Sequence, residues 1–236
     1  MINVRTTWSR IAALALMSVL AFAAAGVSAQ APAPRLNYEY FRIDPPRPTA
    51  DESRIEVVEF FYYGCPVCYE LEPLLSGWIG SAPDAVVTRR VPALSSALWE
   101  NFARLFYALE SLGHLERLHW PVYDNFHVDD IRLNEEAVMF DWVSRNGIDR
   151  QQFIDTYGSP AVTEKLAAAR ELLRSYGVKG VPTLIIDGRY MTSARMAGGT
   201  KRLIPVLNYL VEQARNERGK LRPSALQPSS TPPSSP

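Results

Sequence analysis

Ile55-Glu56-Val57-Val58-Glu59-Phe60-Phe61-Tyr62-Tyr63-Gly64-Cys65-Pro66-Val67-Cys68-Tyr69 decides how this chain folds. Its first seven residues form a nearly continuous apolar, β-branched and aromatic run, the pattern of a central strand covered on both faces. From Pro66 to about Ile79, apolar residues recur at helical spacing (Val67, Leu71, Leu74, Leu75, Trp78), so the strand runs through a tight turn into a helix. The only two cysteines of the chain sit at that junction. With two residues between them, their sulfurs can close a disulfide across one turn and open it again. A chain with no other thiol has no cysteine framework, so the pair points to redox chemistry or to a metal.

Outward from this stretch the pattern stays α/β. Tyr38 to Ile43 alternates well enough for a short first strand, which Asp44-Pro45-Pro46-Arg47-Pro48 then breaks. Ala85 to Val91 reads as another strand, ended by Pro92. Helices are expected on the face Trp99, Phe102, Leu105, Phe106 and Leu109 (stopping at Gly113), on Ala137, Phe140, Trp142 and Val143, and from Glu164 to Tyr176. Thr183 to Tyr190 is a hairpin turning at Asp187-Gly188, and Gly199 to Ala214 gives a last helix. The helical block therefore interrupts one sheet.

The 25 basic and 25 acidic side chains cancel, so no net field draws the protein to nucleic acid or anionic lipid. At the N-terminus, Arg5 and Arg10 precede an apolar run of about 15 residues that ends in Val27-Ser28-Ala29, and the roughly 20 residues of a spanning helix are not reached. This reads as a secretory signal, residues 1–29, cleaved after Ala29. Export places the cysteines where disulfides persist. Residues 30–36 are a flexible lead-in, and the Pro- and Ser-rich residues 216–236 are expected to be disordered.

Cys65 is expected at or just before the start of the helix, with Pro66 suited to its first position. Free backbone N–H groups and the positive end of the helix dipole favour an anion there, so the Cys65 thiol should fall below its usual ~8.5. Cys68, a turn further in and pointing inward, should be the less accessible thiol. Zinc is the competing reading, with His114 and His119 as further ligands. It is disfavoured because the Cys–His separation is long and the two histidines diverge on a helix, so no metal is expected. A purely structural disulfide closes too small a loop to matter much for stability. The three histidines are assigned to solvent or helix-surface positions. Glu59 shares a strand face with Ile55, Val57 and Phe61 and should be buried. It either exchanges a proton with Cys68 or pairs with Arg89 or Arg90, two compatible roles. The Val181–Pro182 bond is trans by default.

Together these residues resemble the DsbA family of periplasmic thiol:disulfide oxidoreductases. Val58-Glu59-Phe60-Phe61-x-x-x-Cys65-Pro66-x-Cys68-Tyr69 is similar to its active-site strand and turn, and Gly177-Val178-x-Gly180-Val181-Pro182-Thr183 to its second active-site segment. The resemblance implies an α/β, thioredoxin-like fold (residues 37–92 and 177–215) with an inserted helical domain (93–176). It implies Cys65 as nucleophile, Cys68 as resolving thiol, Glu59 as the buried acid, and Val181-Pro182 as a cis-proline loop holding the client. Pro66 and Val67 complete the active-site loop, and Val67 stands where the best-known members carry His. The implied protein is a periplasmic monomer without a bound cofactor beyond the redox-active Cys65–Cys68 disulfide. It would oxidise reduced secreted proteins and be reoxidised by a quinone-linked membrane protein. Two rivals are a reductase or isomerase of the same fold, for which the lead-in is too short to hold the usual dimerisation domain, and a peptide-binding, chaperone-like protein with a static disulfide.

Overall fold

The structure, a computed structural model, describes residues 32–221. The expected signal segment, residues 1–29, and the last 15 residues of the expected tail lie outside the described residues. A five-stranded sheet runs β1 (Phe41–Arg42), β5 (Tyr190–Ser193), β4 (Thr183–Ile186), β2 (Ile55–Phe61), β3 (Val86–Pro92) in spatial order. β2 and β3 are parallel and joined by helix α1 (Pro66–Ser81), while β4 lies antiparallel to β2 and β5 to β4. All seven residues of β2 are buried, as expected of a strand covered on both faces. The hairpin between β4 and β5 turns at Asp187 and Gly188, both at positive φ (56° and 61°), the backbone geometry a two-residue turn of matching twist requires.

Between β3 and β4 the chain forms five helices: α2 (Ala97–Ser111), α3 (Leu115–His127), α4 (Glu136–Arg145), α5 (Arg150–Tyr157) and α6 (Pro160–Tyr176). The short α7 (Ala194–Ala197) and the long α8 (Thr200–Leu221) follow β5. Two apolar clusters result. Ile55, Val57, Leu71, Leu75, Leu184, Ile186, Leu203 and Leu207 join one sheet face to α1 and α8. Phe60, Phe61, Tyr63, Phe102, Phe106, Val122, Tyr123 and Phe153 tie the end of β2 to the inserted helices. Each such fully buried side chain contributes about 1.5–3 kcal/mol, so the loop bearing the cysteines is anchored in both clusters.

Four details differ from the sequence expectations. β1 is two residues long, because only Phe41 and Arg42 find partners on β5 before the prolines. Helices α3 and α5 have no counterpart in the apolar pattern; α3 carries Pro121 in its interior and a histidine on its buried face. On α1 the buried stripe is Cys68, Leu71, Glu72, Leu75 and Trp78, leaving Val67 exposed. The tail expected from residue 216 starts too early, because α8 continues to Leu221. Its last turns are held by ion pairs: Glu217 meets Arg42 at 2.8 Å and the Tyr190 hydroxyl at 2.7 Å, and Arg218 Nε meets Asp187 at 2.8 Å.

Candidate active site

Cys65 is the N-cap of α1, with φ −90° and ψ 117°, and Pro66 takes the first helical position. Its sulfur accepts the backbone N–H of Cys68 at 3.4 Å, doing what a serine oxygen does at an ordinary cap. The side chain is partly exposed, whereas Cys68 is fully buried; both are thiols. The thiol–thiolate hydrogen bond from Cys68, helped by the backbone N–H groups of Cys68 and Val67, outweighs partial burial and brings Cys65 down to about 6. Burial drives Cys68 the other way, far above the ordinary thiol range, with the Cys65 and Glu59 charges pushing in the same direction. One helical turn thus separates a sulfur that ionises readily from one that does not.

The second segment comes from the end of α6. Gly177 turns the chain in the left-handed region (φ 63°), and Thr183 Oγ1 ties the loop by donating to the Gly180 carbonyl at 2.7 Å. The Val181–Pro182 bond is cis, and the Val181 carbonyl accepts from Cys65 Sγ at 3.7 Å. Val181 and Pro182, more than a hundred residues downstream, therefore lie against the outer cysteine.

Behind the pair lies a group of enclosed charges. Parallel pairing sets Glu59 directly opposite Arg90 in register, and Arg90 Nε comes within 3.3 Å of Glu59 Oε2. Arg89, the other expected partner, points to the opposite face and meets Glu56 at 3.5 Å. Arg90 Nη2 also donates to Glu72 Oε1 at 2.7 Å and to Ser76 Oγ at 3.0 Å. Neither Glu59 oxygen has an aligned hydrogen-bond partner among the described residues. Burial pushes Glu59 up to about 8, with Arg90 opposing and Glu72 assisting, so near neutrality it holds its proton. Burial also opposes charge on Glu72, but the His119 N–H that faces it and the Arg90 charge bring it below the ordinary carboxylate range.

His119 corrects the assignment of histidines to the surface. It is 5 % exposed, with Nδ1 2.7 Å from the Tyr63 hydroxyl and Nε2 3.3 Å from Glu72. Burial keeps it below its usual value, so the ring is neutral, accepting from Tyr63 and turning its N–H toward Glu72. His127 is half-buried, bonded to the Tyr63 carbonyl at 2.7 Å and stacked on Tyr69 at 4.8 Å. The described residues hold no group of three or more His, Cys, Asp or Glu placed to bind a metal ion. Glu72 was absent from the sequence reading, yet its spacing of four from Cys68 put it on the same inward face of α1.

Residues 86–210 match the family described as DSBA-like thioredoxin domain. The thiol:disulfide interchange protein DsbA of Azotobacter vinelandii is 34% identical over 205 residues, covering 86% of this chain and 96% of that protein. The Pseudomonas aeruginosa protein of the same name is 34% identical over 203 residues, with the same coverage. The chain belongs to the DsbA family. The crystal structure of Pseudomonas aeruginosa DsbA superposes with a TM-score of 0.75 at 33% identity, covering 78% of this chain and 96% of that one. DsbA from Xylella fastidiosa follows with a TM-score of 0.70 at 27% identity, covering 75% and 96%. This DsbA-family protein is accordingly a thiol:disulfide oxidoreductase with a thioredoxin-like fold and a helical insertion. No described helix is long and apolar enough to cross a membrane.

Proposed function

We propose that this family member is an exported, periplasmic dithiol oxidase that passes its Cys65–Cys68 disulfide to reduced secreted proteins. The observation that carries this reading is the unequal placing of the two sulfurs: Cys65 caps the start of α1, partly exposed and accepting the Cys68 N–H at 3.4 Å, which favours its thiolate, while Cys68 is fully buried, which holds it as a thiol. A client thiolate attacks Cys65 Sγ, the Cys65–Cys68 bond breaks, and the electron pair leaves on Cys68, which takes up a proton. A second client thiolate then attacks the client sulfur of the mixed disulfide, closing the client's own disulfide and releasing Cys65 as a thiolate. Two electrons have moved from client to enzyme. A stable Cys65 thiolate is a good leaving group and favours the reduced enzyme, which makes the protein an oxidant.

Glu59, buried behind the pair and protonated at neutral pH, is the group from which the departing Cys68 draws a proton. Val181 and Pro182 hold the client strand beside Cys65, while Pro66 and Val67 form the loop the client meets first. Residues 37–92 with 177–215 carry the redox site and residues 93–176 wall it in. Residues 1–29 direct export. Reoxidation by a quinone-linked membrane partner returns the disulfide, and no further cofactor takes part.

Mixing the oxidised full chain with a reduced, disulfide-requiring client tests this. We expect one client disulfide per enzyme disulfide consumed, a trapped client–Cys65 adduct in Cys68→Ser, and no reaction in Cys65→Ser. A bond that survives excess reduced glutathione and leaves the client reduced would refute the oxidase reading in favour of a static disulfide.

A further inference from the structure

Next to the cysteines, the Val181–Pro182 loop, α7 and the start of α8 enclose an open cleft of about 1300 Å³. Val67, Val181, Pro182, Met191 and Met196 give it an apolar lining that begins at the residue whose carbonyl touches Cys65 Sγ. Its charged residues are almost all of one sign. Lys179, Arg195, Lys201 and Arg202 line the cleft, and all four are exposed. None makes an ion pair among the described residues, whereas Arg174 on the neighbouring helix is matched with Glu171. The one carboxylate of the lining, Glu70, accepts a hydrogen bond from Thr200 Oγ1 at 2.7 Å. Gly198 and Gly199, both at positive φ (80° and 130°), turn the chain so that the first residues of α8 also line the cleft, adding the positive end of that helix. The whole chain carries no net charge, so this concentration is local.

We propose that the cleft selects among clients by charge, and that its preferred occupant is an extended client segment carrying Asp or Glu beside its cysteine. The inference rests on the oxidase reading of the same site. The apolar floor takes alternate side chains of the segment and the four cations meet its carboxylates. A bare polyanion would leave that floor uncovered. Exposed cations around a cleft raise the local concentration of an anionic partner and speed its arrival without the desolvation that burial would require.

The test uses reduced two-cysteine peptides of one apolar frame, flanked either by Glu or by Lys. Oxidation by the oxidised full chain is followed by stopped flow. Rates are expressed per thiolate from each peptide's own titration, because flanking charges also move the peptide thiols. The Glu peptide should react roughly tenfold faster than the Lys peptide at low ionic strength, the ratio collapsing toward one as salt rises. In the double variant Arg195→Glu/Lys201→Glu the order should reverse, and because the ratio is taken within one protein, a general loss of activity cancels. Equal rates, or a Glu preference that neither salt nor charge reversal changes, would overturn the proposal and leave the oxidase reading standing. Tighter competition for the cleft by polyphosphate than by the Glu peptide would likewise overturn it. Failure to oxidise either peptide would overturn the oxidase reading itself.

Discussion

In front of the α1 N-terminus, four exposed cations make no ion pair among the described residues, whereas behind it Glu59, Glu72 and His119 are buried and share the half-buried Arg90, with the Tyr63 and Ser76 hydroxyls as further partners. Exposed charges cost the fold little and contribute little to it, since solvent screens them. They are free to act on whatever arrives. Enclosed charges have no such freedom: each must be balanced by a neighbour or lose its charge. Glu59 does the latter and Glu72 the former, although both are carboxylates touching the same arginine. The cysteines follow the same divide, Cys65 ionising on the open side and Cys68 staying a thiol on the closed one. A single helical turn supports two chemistries because it crosses from one dielectric regime into the other.

Removing the proton-holding acid should disturb this contrast most. Glu59 has its folded pKa raised from 4.5 to about 8. Its contribution to stability is therefore fully present below 4.5 and lost as pH rises through 8. Glu59→Gln lacks that loss, so its stability advantage over the wild type should grow between those limits to a few kcal/mol and then level off. Urea unfolding of the reduced proteins at several pH values measures this, and a pH-independent difference would show that Glu59 is not the protonated member. The same variant should slow mixed-disulfide formation, because Cys68 would depart without its proton source.

Next in size, His119→Leu leaves the buried Tyr63 hydroxyl without its hydrogen-bond partner and takes away the ring nitrogen that faces Glu72. A loss of about 1–3 kcal/mol in denaturant unfolding is expected. His119→Gln, which can still face both groups, should recover part of it. No loss in the Leu variant would mean that the ring only fills space.

The mildest change is made on the open side. Val67 is 41% exposed, next to Cys68 and two positions after Cys65. Val67→His would add a donor and a partial positive charge near Cys65. The midpoint of the thiolate absorbance should be lower in the His variant than in the wild type, and the redox potential should become more oxidising by tens of millivolts, since ~30 mV corresponds to about 1.4 kcal/mol. An unchanged midpoint would show that the backbone cap alone sets the Cys65 ionisation.

Much of the site was legible because its signals are local. The apolar run of β2, the proline after Cys65 and the Asp187-Gly188 turn each act within a few residues, and they place the redox pair at a helix start without reference to the rest of the chain. His119 was not legible, because burial of a polar ring depends on Tyr63 and Glu72 arriving from elsewhere. Helix α3 was concealed for a related reason: Pro121 breaks its pattern of donors, and its inward face (Leu118, His119, Val122, Tyr123) spends one position on a histidine. The choice between Arg89 and Arg90 as partner of Glu59 was a question of strand register, which alternation alone leaves open. The final turns of α8 look polar enough to be unstructured, yet they are fixed by partners more than 25 residues away in sequence.

Those last turns have a practical corollary. Glu217 bridges Arg42 on the outermost strand with Tyr190 on the next, and Arg218 grips Asp187 at the hairpin tip. They tie the end of the last helix to the two-residue border strand and to the hairpin beside it through side chains alone. A shortened protein for crystallisation or redox titration should therefore end beyond Arg218, since trimming where the composition turns polar would discard the clasp and loosen the border strand and the hairpin tip it fastens.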